Sequence, residues 1–436
     1  MKKAFLALQI DIRRVGTRRK VKRGPENPAG VFVEAYIARQ PIFKRDLSIF
    51  GYELLFRGGA SDKQYTDSDA DQATSRVVME SFYSRGVESI TGGKPAFINF
   101  TTRLLLENTA TLFPKEHLIV EILENVAPTP EIVEACRELS RKGYRLAMDD
   151  FVYRPEYDPL ISISRIIKFD FLNSSPKEIK KTIKKARLEK KWLLAEKIQT
   201  IEDFQVAVDL GFSLFQGYFF SKPVTLSAKA LSPLKVSYIS LLKEINSYDY
   251  LDYHKLAETI RNDVALSYRL LKLVNSAYYG LRTVVKDISQ ALTIIGTREI
   301  RKWIFMIALM GLSVDKPDEL IKMSMIRGRF LEHLNSKSIR ILTNDTVFQT
   351  GLFSMLDVLM GMPMESAFEG MYLDDEVYAA LVDRTGTLYA LLELVISLEH
   401  SDWDRADELT SVLQIKPGVV TEEYLDAVKW CNQLHF

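Results

Sequence analysis

His117-Leu118-Ile119-Val120-Glu121 is an apolar run closed by a carboxylate, and four other short runs in the first half of the chain end likewise in a carboxylate or in its close partner. They are Gly51-Tyr52-Glu53, Tyr144-Arg145-Leu146-Ala147-Met148-Asp149-Asp150, Arg165-Ile166-Ile167-Lys168 and Trp192-Leu193-Leu194-Ala195-Glu196. Runs this short and this apolar predict strands buried on both faces, as in the inner barrel of an α/β protein. Charges at their C-terminal ends fall where such barrels carry their sites. If the strands are neighbours, Glu53, Glu121, Asp149, Asp150 and Glu196 converge with the single cation Lys168. Each carboxylate would raise the pKa of the others, so the set calls for hard divalent cations such as Mg²⁺, Mn²⁺ or Ca²⁺.

Working outward, residues 69–86, 130–142 and 177–191 read as helices between strand-like runs, from Val33 to about Pro223. That alternation predicts a parallel sheet closed as a TIM-like (β/α) barrel. In the lysine-rich stretch, Ile179, Ile183 and Ala186 recur at helical spacing, so its lysines form a solvated outer face. Composition changes after Ser221-Lys222-Pro223, and residues 224–233 read as a linker. Beyond them the periodicity is helical, as in Ile300, Trp303, Ile304, Ile307 and Ala308, so residues 234–436 are expected to form an all-α domain.

The 436 residues, 47% hydrophobic and 26% charged, are enough for two or three domains with large cores. A net charge of +1 offers no general attraction to a nucleic-acid polymer, and no apolar stretch reaches the length of a membrane span. The two cysteines, Cys136 and Cys431, lie in different halves, which fits a reducing cytoplasm better than a disulfide framework. Residues 2–23 carry nine Lys/Arg against one acid, Asp11. The segment 1–32 is therefore read as a flexible basic extension, with an arm for anionic lipid or nucleic acid as the alternative.

Around the acidic strand ends, Asn99 closes Phe97-Ile98-Asn99-Phe100 and offers a neutral oxygen, while Glu124 is placed to hold a neighbouring loop. Asp149 and Asp150 are adjacent and would point to opposite faces of a regular strand, so the backbone must turn there if both bind metal. Lys168 can neutralise charge and hold a water or a phosphate oxygen. Two bridged cations activate a water and stabilise the pentacoordinate phosphate of an in-line displacement, which makes phosphodiester hydrolysis the natural chemistry.

Gln40-Pro41-Ile42, Gly51-Tyr52-Glu53-Leu54-Leu55-Phe56-Arg57, Phe97-Ile98-Asn99, Glu121-Ile122-Leu123-Glu124, Asp149-Asp150-Phe151, Lys168-Phe169-Asp170, Ala195-Glu196-Lys197 and Phe215-Gln216-Gly217-Tyr218 together resemble an EAL domain. The resemblance spans residues 36–223 in order. It implies a barrel that binds cyclic di-GMP and, in active members, hydrolyses it to pGpG with two Mg²⁺ or Mn²⁺ ions, Ca²⁺ acting as an inhibitor. It implies Glu53, Asn99, Glu121, Asp149, Asp150 and Glu196 as metal ligands, Lys168 as the residue that positions the water, and Glu124 as the anchor of the loop after Asp150. Gln40, Arg57 and Gln216 would meet the substrate. The chain departs from the pattern at Val152-Tyr153-Arg154-Pro155-Glu156-Tyr157, where active members carry a glycine-rich loop, and at Lys197 and Gln199.

The second half, through Arg269-Leu270-Leu271-Lys272-Leu273-Val274-Asn275-Ser276 and Ile288-Ser289-Gln290-Ala291-Leu292, resembles an HDOD domain, a helical relative of metal-dependent HD phosphohydrolases. Ser354 and Met355 stand where a His-Asp pair would, and His254 and His333 read as surface or capping residues, so this half is expected to contact a protein partner. Asn275 reads as a helix-ending residue. A second copy of the chain is a further implied partner, and control of motility and biofilm is the family's usual output. Three functions stay open: a cyclic di-GMP-binding signalling protein, an active phosphodiesterase regulated by the helical domain, and a scaffold without ligand.

Overall fold

The computed structural model describes residues 35–58, 86–221 apart from 187, and 264–434 apart from 277–278, 297–298, 314–315, 340–341 and 372, together with 238, 239, 242, 257, 258, 260 and 261. The basic extension, the linker at 224–233, His254 and most of the helix expected at 69–86 lie outside the described residues.

Eight strands close a barrel in sequence order: β1 (Ala35–Lys44), β2 (Ile49–Gly58), β3 (Ala96–Phe100), β4 (Leu118–Ile122), β5 (Arg145–Met148), β6 (Ile166–Asp170), β7 (Trp192–Ile198) and β8 (Leu214–Gly217). Strands β2 to β8 run parallel, as expected. Strand β1 is antiparallel to both β2 and β8, unlike a plain TIM barrel. The cause is local. Only Arg45–Ser48 joins β1 to β2, with Leu47 at φ 60° and the Asp46 carboxylate accepting from Ser48, whereas a parallel crossover needs a dozen or more residues.

Between the strands, helix α1 (Pro130–Arg141) starts where the Thr129 side chain accepts from the Ile132 amide, and it buries Ile132, Val133, Cys136 and Leu139. Helix α2 (Pro176–Lys185) opens with a Ser175–Glu178 capping box and buries Ile179 and Ile183, leaving Lys177, Lys180, Lys181, Lys184 and Lys185 in solvent. It ends earlier than its periodicity suggests, and a separate short turn, Leu188–Lys190, leads into β7.

Inside the barrel, Ile42, Phe97, Ile119, Ala147, Ile166, Leu194 and Leu214 form one closed apolar cluster. Side chains on a strand alternate between faces, so the inward residues of the next layer lie two positions further toward the mouth. Those positions are Asn99, Glu121, Asp149, Lys168, Glu196 and Gln216; on the reversed β1 the position is Gln40, and on β2 it is Glu53, two beyond Gly51. A full apolar layer thus supports a full polar one. Gly217, at φ 143°, is required where β8 meets β7, because a Cβ there would lie 2.2 Å from the Ile198 carbonyl oxygen.

Among its described residues the second half forms helices joined by turns and irregular segments, with no strand. Its central elements are α3 (Ile300–Leu312), α4 (Asp318–Leu334), α5 (Asn344–Phe353), α6 (Gly386–Glu399), α7 (Trp403–Leu413) and α8 (Pro417–Gln433). Helix α3 is buried on almost every side, and α4 and α5 cross so closely that a Cβ on Gly351 would lie 2.4 Å from the Gly328 amide. Asn275 follows the helix Val264–Val274 and ties it to the next segment, donating to the Leu271 and Val285 carbonyls and accepting from the Val285 amide. Tyr279 packs against Trp303 in the core. His333 is partly buried, with Nδ1 2.9 Å from Glu423, rather than on the open surface. Cys136 and Cys431 are both buried and free, and no described helix is long and apolar enough to cross a membrane.

Helices α6 and α8 pack on β1, and α8 also meets the helix Val87–Thr91. The seam has a charged core. Glu319 of α4 accepts from Arg39 Nη2 at 3.3 Å and from the Tyr52 hydroxyl at 2.7 Å, and the Arg39 guanidinium lies 4.3 Å above the Tyr52 ring. All three side chains are buried. Tyr36 shares a hydrogen bond with Thr410 and stacks on Trp403.

Candidate active site

The polar layer gathers on Lys168. Its Nζ lies 2.7 Å from Glu121, 2.8 Å from Asp149, 2.9 Å from Glu196 and 3.2 Å from Glu53, with the lysine fully buried. Strand alternation on β2, β4, β5, β6 and β7 delivers these five side chains from the ends of their apolar runs. Gln216 donates to Glu53 at 2.5 Å and to Gln40 at 2.9 Å, so β8 and β1 complete the ring.

Four carboxylates around one ammonium leave negative charge in excess, and burial makes this costly. Burial pushes Glu121 well above the usual carboxylate range against the opposing pull of Lys168, and it lifts Glu196 to about 8. Burial alone would lower Lys168, but Glu121, Glu196, Glu53 and Asp149 together raise it well above its ordinary value. Asn99 Oδ1, Glu121 Oε2, Asp150 Oδ1 and Glu196 Oε2 are buried and meet no hydrogen-bond donor among the described residues. Oxygens of this kind, mostly anionic and without donors, fit a hard divalent cation. Among the described residues no three acidic, histidine or cysteine side chains are gathered on a point of their own; the carboxylates surround the ammonium instead.

Four of the five carboxylates expected to converge on Lys168 reach it, and Asp150 turns elsewhere, because neighbouring residues on a strand point to opposite faces. Asp149 faces Lys168, whereas Asp150, at φ 36°, turns toward Lys197, itself at φ 57°, with 3.7 Å between the charged atoms. Lys197 also pairs with Asp170 at 2.7 Å. This counter-ion role is invisible in the motif, where Lys197 only replaces a small residue. Two non-glycine residues held left-handed beside the site are the sort of strain that functional geometry stores.

The segment after Asp150 is anchored at several points. The Phe151 amide donates to the Lys168 carbonyl, Phe151 packs edge-on against Phe169, and Pro155–Tyr157 forms a short 3₁₀ turn. The anticipated tie to Glu124 exists in altered form. The Tyr157 hydroxyl donates to the Glu124 backbone carbonyl at 3.3 Å, while Glu124 itself is exposed. Gln199 is exposed as well.

Arg57 lies at the rim of the barrel, 2.8 Å from Asp404 of α7. Gln40 is within hydrogen-bond reach of the Tyr218 hydroxyl, the Glu399 carbonyl and the Ser401 hydroxyl. Glu399, Ser401 and Asp404 are more than three hundred residues from their partners on β1 and β2, and no local sequence signal connects them. In the helical half, Arg327 makes a two-pronged pair with Glu399 and also donates to Ser354 and Met355.

Comparisons with known proteins assign both halves of the chain to families. Residues 87–223 match the model of the EAL domain and residues 231–360 that of the HDOD domain. The EAL match begins after β2, although the structure shows that β1 and β2 belong to the same barrel. The chain is 36% identical over 410 residues to the uncharacterized protein YuxH of Bacillus subtilis, covering 92% of this chain and 99% of that one. It is 33% identical over 402 residues to the cyclic di-GMP phosphodiesterase CdgJ of Vibrio cholerae, covering 92% and 93%. A standalone EAL protein from Vibrio cholerae O395, solved with cyclic di-GMP bound, is 22% identical with a TM-score of 0.35, covering 44% of this chain and 93% of that one. With both domains matched in order and two relatives aligned over nearly their whole length, the chain belongs to the two-domain EAL–HDOD family of cyclic di-GMP signalling proteins.

Proposed function

We propose that the barrel binds cyclic di-GMP together with divalent metal ions and that the helical domain couples this binding to a protein partner. The observation that carries the reading is the ring of four carboxylates on Lys168, with buried oxygens of Asn99, Glu121, Asp150 and Glu196 left without donors. Glu53, Asn99, Glu121, Asp149, Asp150 and Glu196 would hold Mg²⁺ or Mn²⁺, with Ca²⁺ as a non-productive substitute. Arg57, Gln40 and Gln216 stand on the β1, β2 and β8 side of the mouth and supply the charge and amides a cyclic dinucleotide needs. The domain limits that go with this reading are 33–223 for the barrel and 234–436 for the helical part, with 224–233 between them. Two buried free cysteines support a reducing cytoplasm as the working compartment.

Hydrolysis to pGpG is the second reading, favoured by the intact acidic ring and by the similarity to a cyclic di-GMP phosphodiesterase. Bound cations would supply an activated water and stabilise negative charge on the phosphate. Lys168, fully buried and ringed by carboxylates, is placed to hold that water's orientation once metals share the negative charge. Glu53, anchored by Gln216, would keep one ligand oxygen directed inward. The segment 151–157, fixed by Pro155 and by Tyr157 on Glu124, limits how far Asp150 can adjust. Incubation with cyclic di-GMP and Mn²⁺ is expected to yield pGpG at a rate that Glu53→Ala lowers at least about 100-fold, the scale of losing a metal's supporting geometry. Full activity in Glu53→Ala would contradict this assignment.

A further inference from the structure

Two of the residues proposed to meet the nucleotide are already engaged by the helical domain. Asp404 sits 2.8 Å from Arg57, and the Glu399 carbonyl and Ser401 hydroxyl each lie 3.3 Å from the Gln40 amide. The same Glu399 carbonyl accepts from the Tyr218 hydroxyl at 3.0 Å, and the His400 ring covers Tyr218 at 3.9 Å between centroids. The corner between α6 and α7 therefore rests on the β1–β8 edge of the barrel mouth. Its root is fixed: Glu399 is clamped by Arg327 in a buried pair, and Ser401 holds a left-handed turn at φ 56°. Its tip faces solvent, the Arg57 and Asp404 side chains being 32% and 84% exposed. Exposed pairs of this kind are weak and yield readily.

A cyclic dinucleotide brings two negative phosphates. An aspartate beside the arginine that would receive one of them opposes the ligand, because the two anions compete for one guanidinium. We infer that the corner Glu399–Asp404 is a built-in competitor for the barrel's nucleotide, with Asp404 setting affinity at Arg57 and Ser401 with Glu399 occupying Gln40. Withdrawal of the corner would free both recognition groups at once, and a partner that shifts α6 and α7 would thereby control the mouth. The inference rests on the reading of the barrel as a cyclic di-GMP site.

The test is equilibrium binding of cyclic di-GMP to the full chain in Ca²⁺, comparing wild type, Asp404→Asn, Ser401→Gly, Arg57→Ala and the Arg57→Ala/Asp404→Asn double variant. Asp404→Asn is expected to bind about 2- to 5-fold more tightly, the scale of one exposed charge pair. That gain should shrink between about 50 mM and 500 mM salt as screening shortens the interaction. Glycine tolerates the turn at 401, so Ser401→Gly should also tighten binding while leaving the fold intact. In the Arg57→Ala background, Asp404→Asn should gain nothing. Unchanged or weaker binding by Asp404→Asn, or a gain that persists without Arg57, overturns the inference while leaving the nucleotide reading in place. Absence of binding in all five proteins overturns that reading and the inference with it.

Discussion

Replacing Lys168 by methionine is expected to lower the stability of the metal-free protein by about 3–5 kcal/mol, the cost of leaving buried charge without its partner. The ammonium is fully buried and stands within 3.2 Å of carboxylate oxygens from Glu53, Glu121, Asp149 and Glu196. Methionine preserves much of the side chain's volume, so the loss reports charge rather than a cavity. Denaturant unfolding in EDTA measures it. Divalent ions should then stabilise the variant more than the wild type, because the ligand oxygens no longer have to exchange an ammonium for a cation. A variant within about 1 kcal/mol of wild type, with no greater response to Mn²⁺, would show that the four acids do not share their charge through Lys168.

The second large effect belongs to the seam. Glu319→Ala leaves Arg39 buried with the Ile90 backbone carbonyl as the one described acceptor for its guanidinium and removes the partner of the Tyr52 hydroxyl. The expected cost is again about 3–5 kcal/mol, falling on the contact between the halves. Calorimetry should show the wild type's coupled unfolding separating into two transitions in the variant. The paired replacement Arg39→Met/Glu319→Leu is expected to recover most of the loss, because an apolar pair carries no stranded charge. Equal damage from the single and paired variants would mean that shape, not charge, holds this contact.

Much of the barrel was legible because strand periodicity is a local signal. Each of Phe97, Ile119, Ala147, Ile166, Leu194 and Leu214 precedes by two positions the polar residue that shares its face, so the sequence states both the apolar floor and the acidic layer above it. The antiparallel β1 departs from the parallel barrel expected, and the shortness of Arg45–Ser48, a length argument rather than a propensity, is the signal that could have shown it. What stayed hidden depends on side-chain direction and on distance along the chain. Adjacency set Asp149 and Asp150 on opposite faces of a regular strand, but nothing in the motif showed that Lys197 waits for Asp150 on the other side. The Glu124 tie runs through a carbonyl, which every residue possesses and no motif encodes. Arg327, Glu399, Ser401 and Asp404 lie on three helical elements and the turn between two of them, and their relation to Gln40 and Arg57 exists only after both halves have packed. The helices of the second half were readable from their apolar periodicity, but their burial all round erased the face that would have indicated where the barrel sits.

The most direct test of the central claim is equilibrium dialysis of the purified full chain against cyclic di-GMP with Mn²⁺, with Ca²⁺ and with EDTA, repeated on Glu121→Ala. Saturable binding near one nucleotide per chain is expected, requiring a divalent ion and lost with Glu121, the fully buried carboxylate in the ring. Folded protein that binds no cyclic di-GMP under any of these conditions, or binds it equally well in EDTA and without Glu121, would contradict the account.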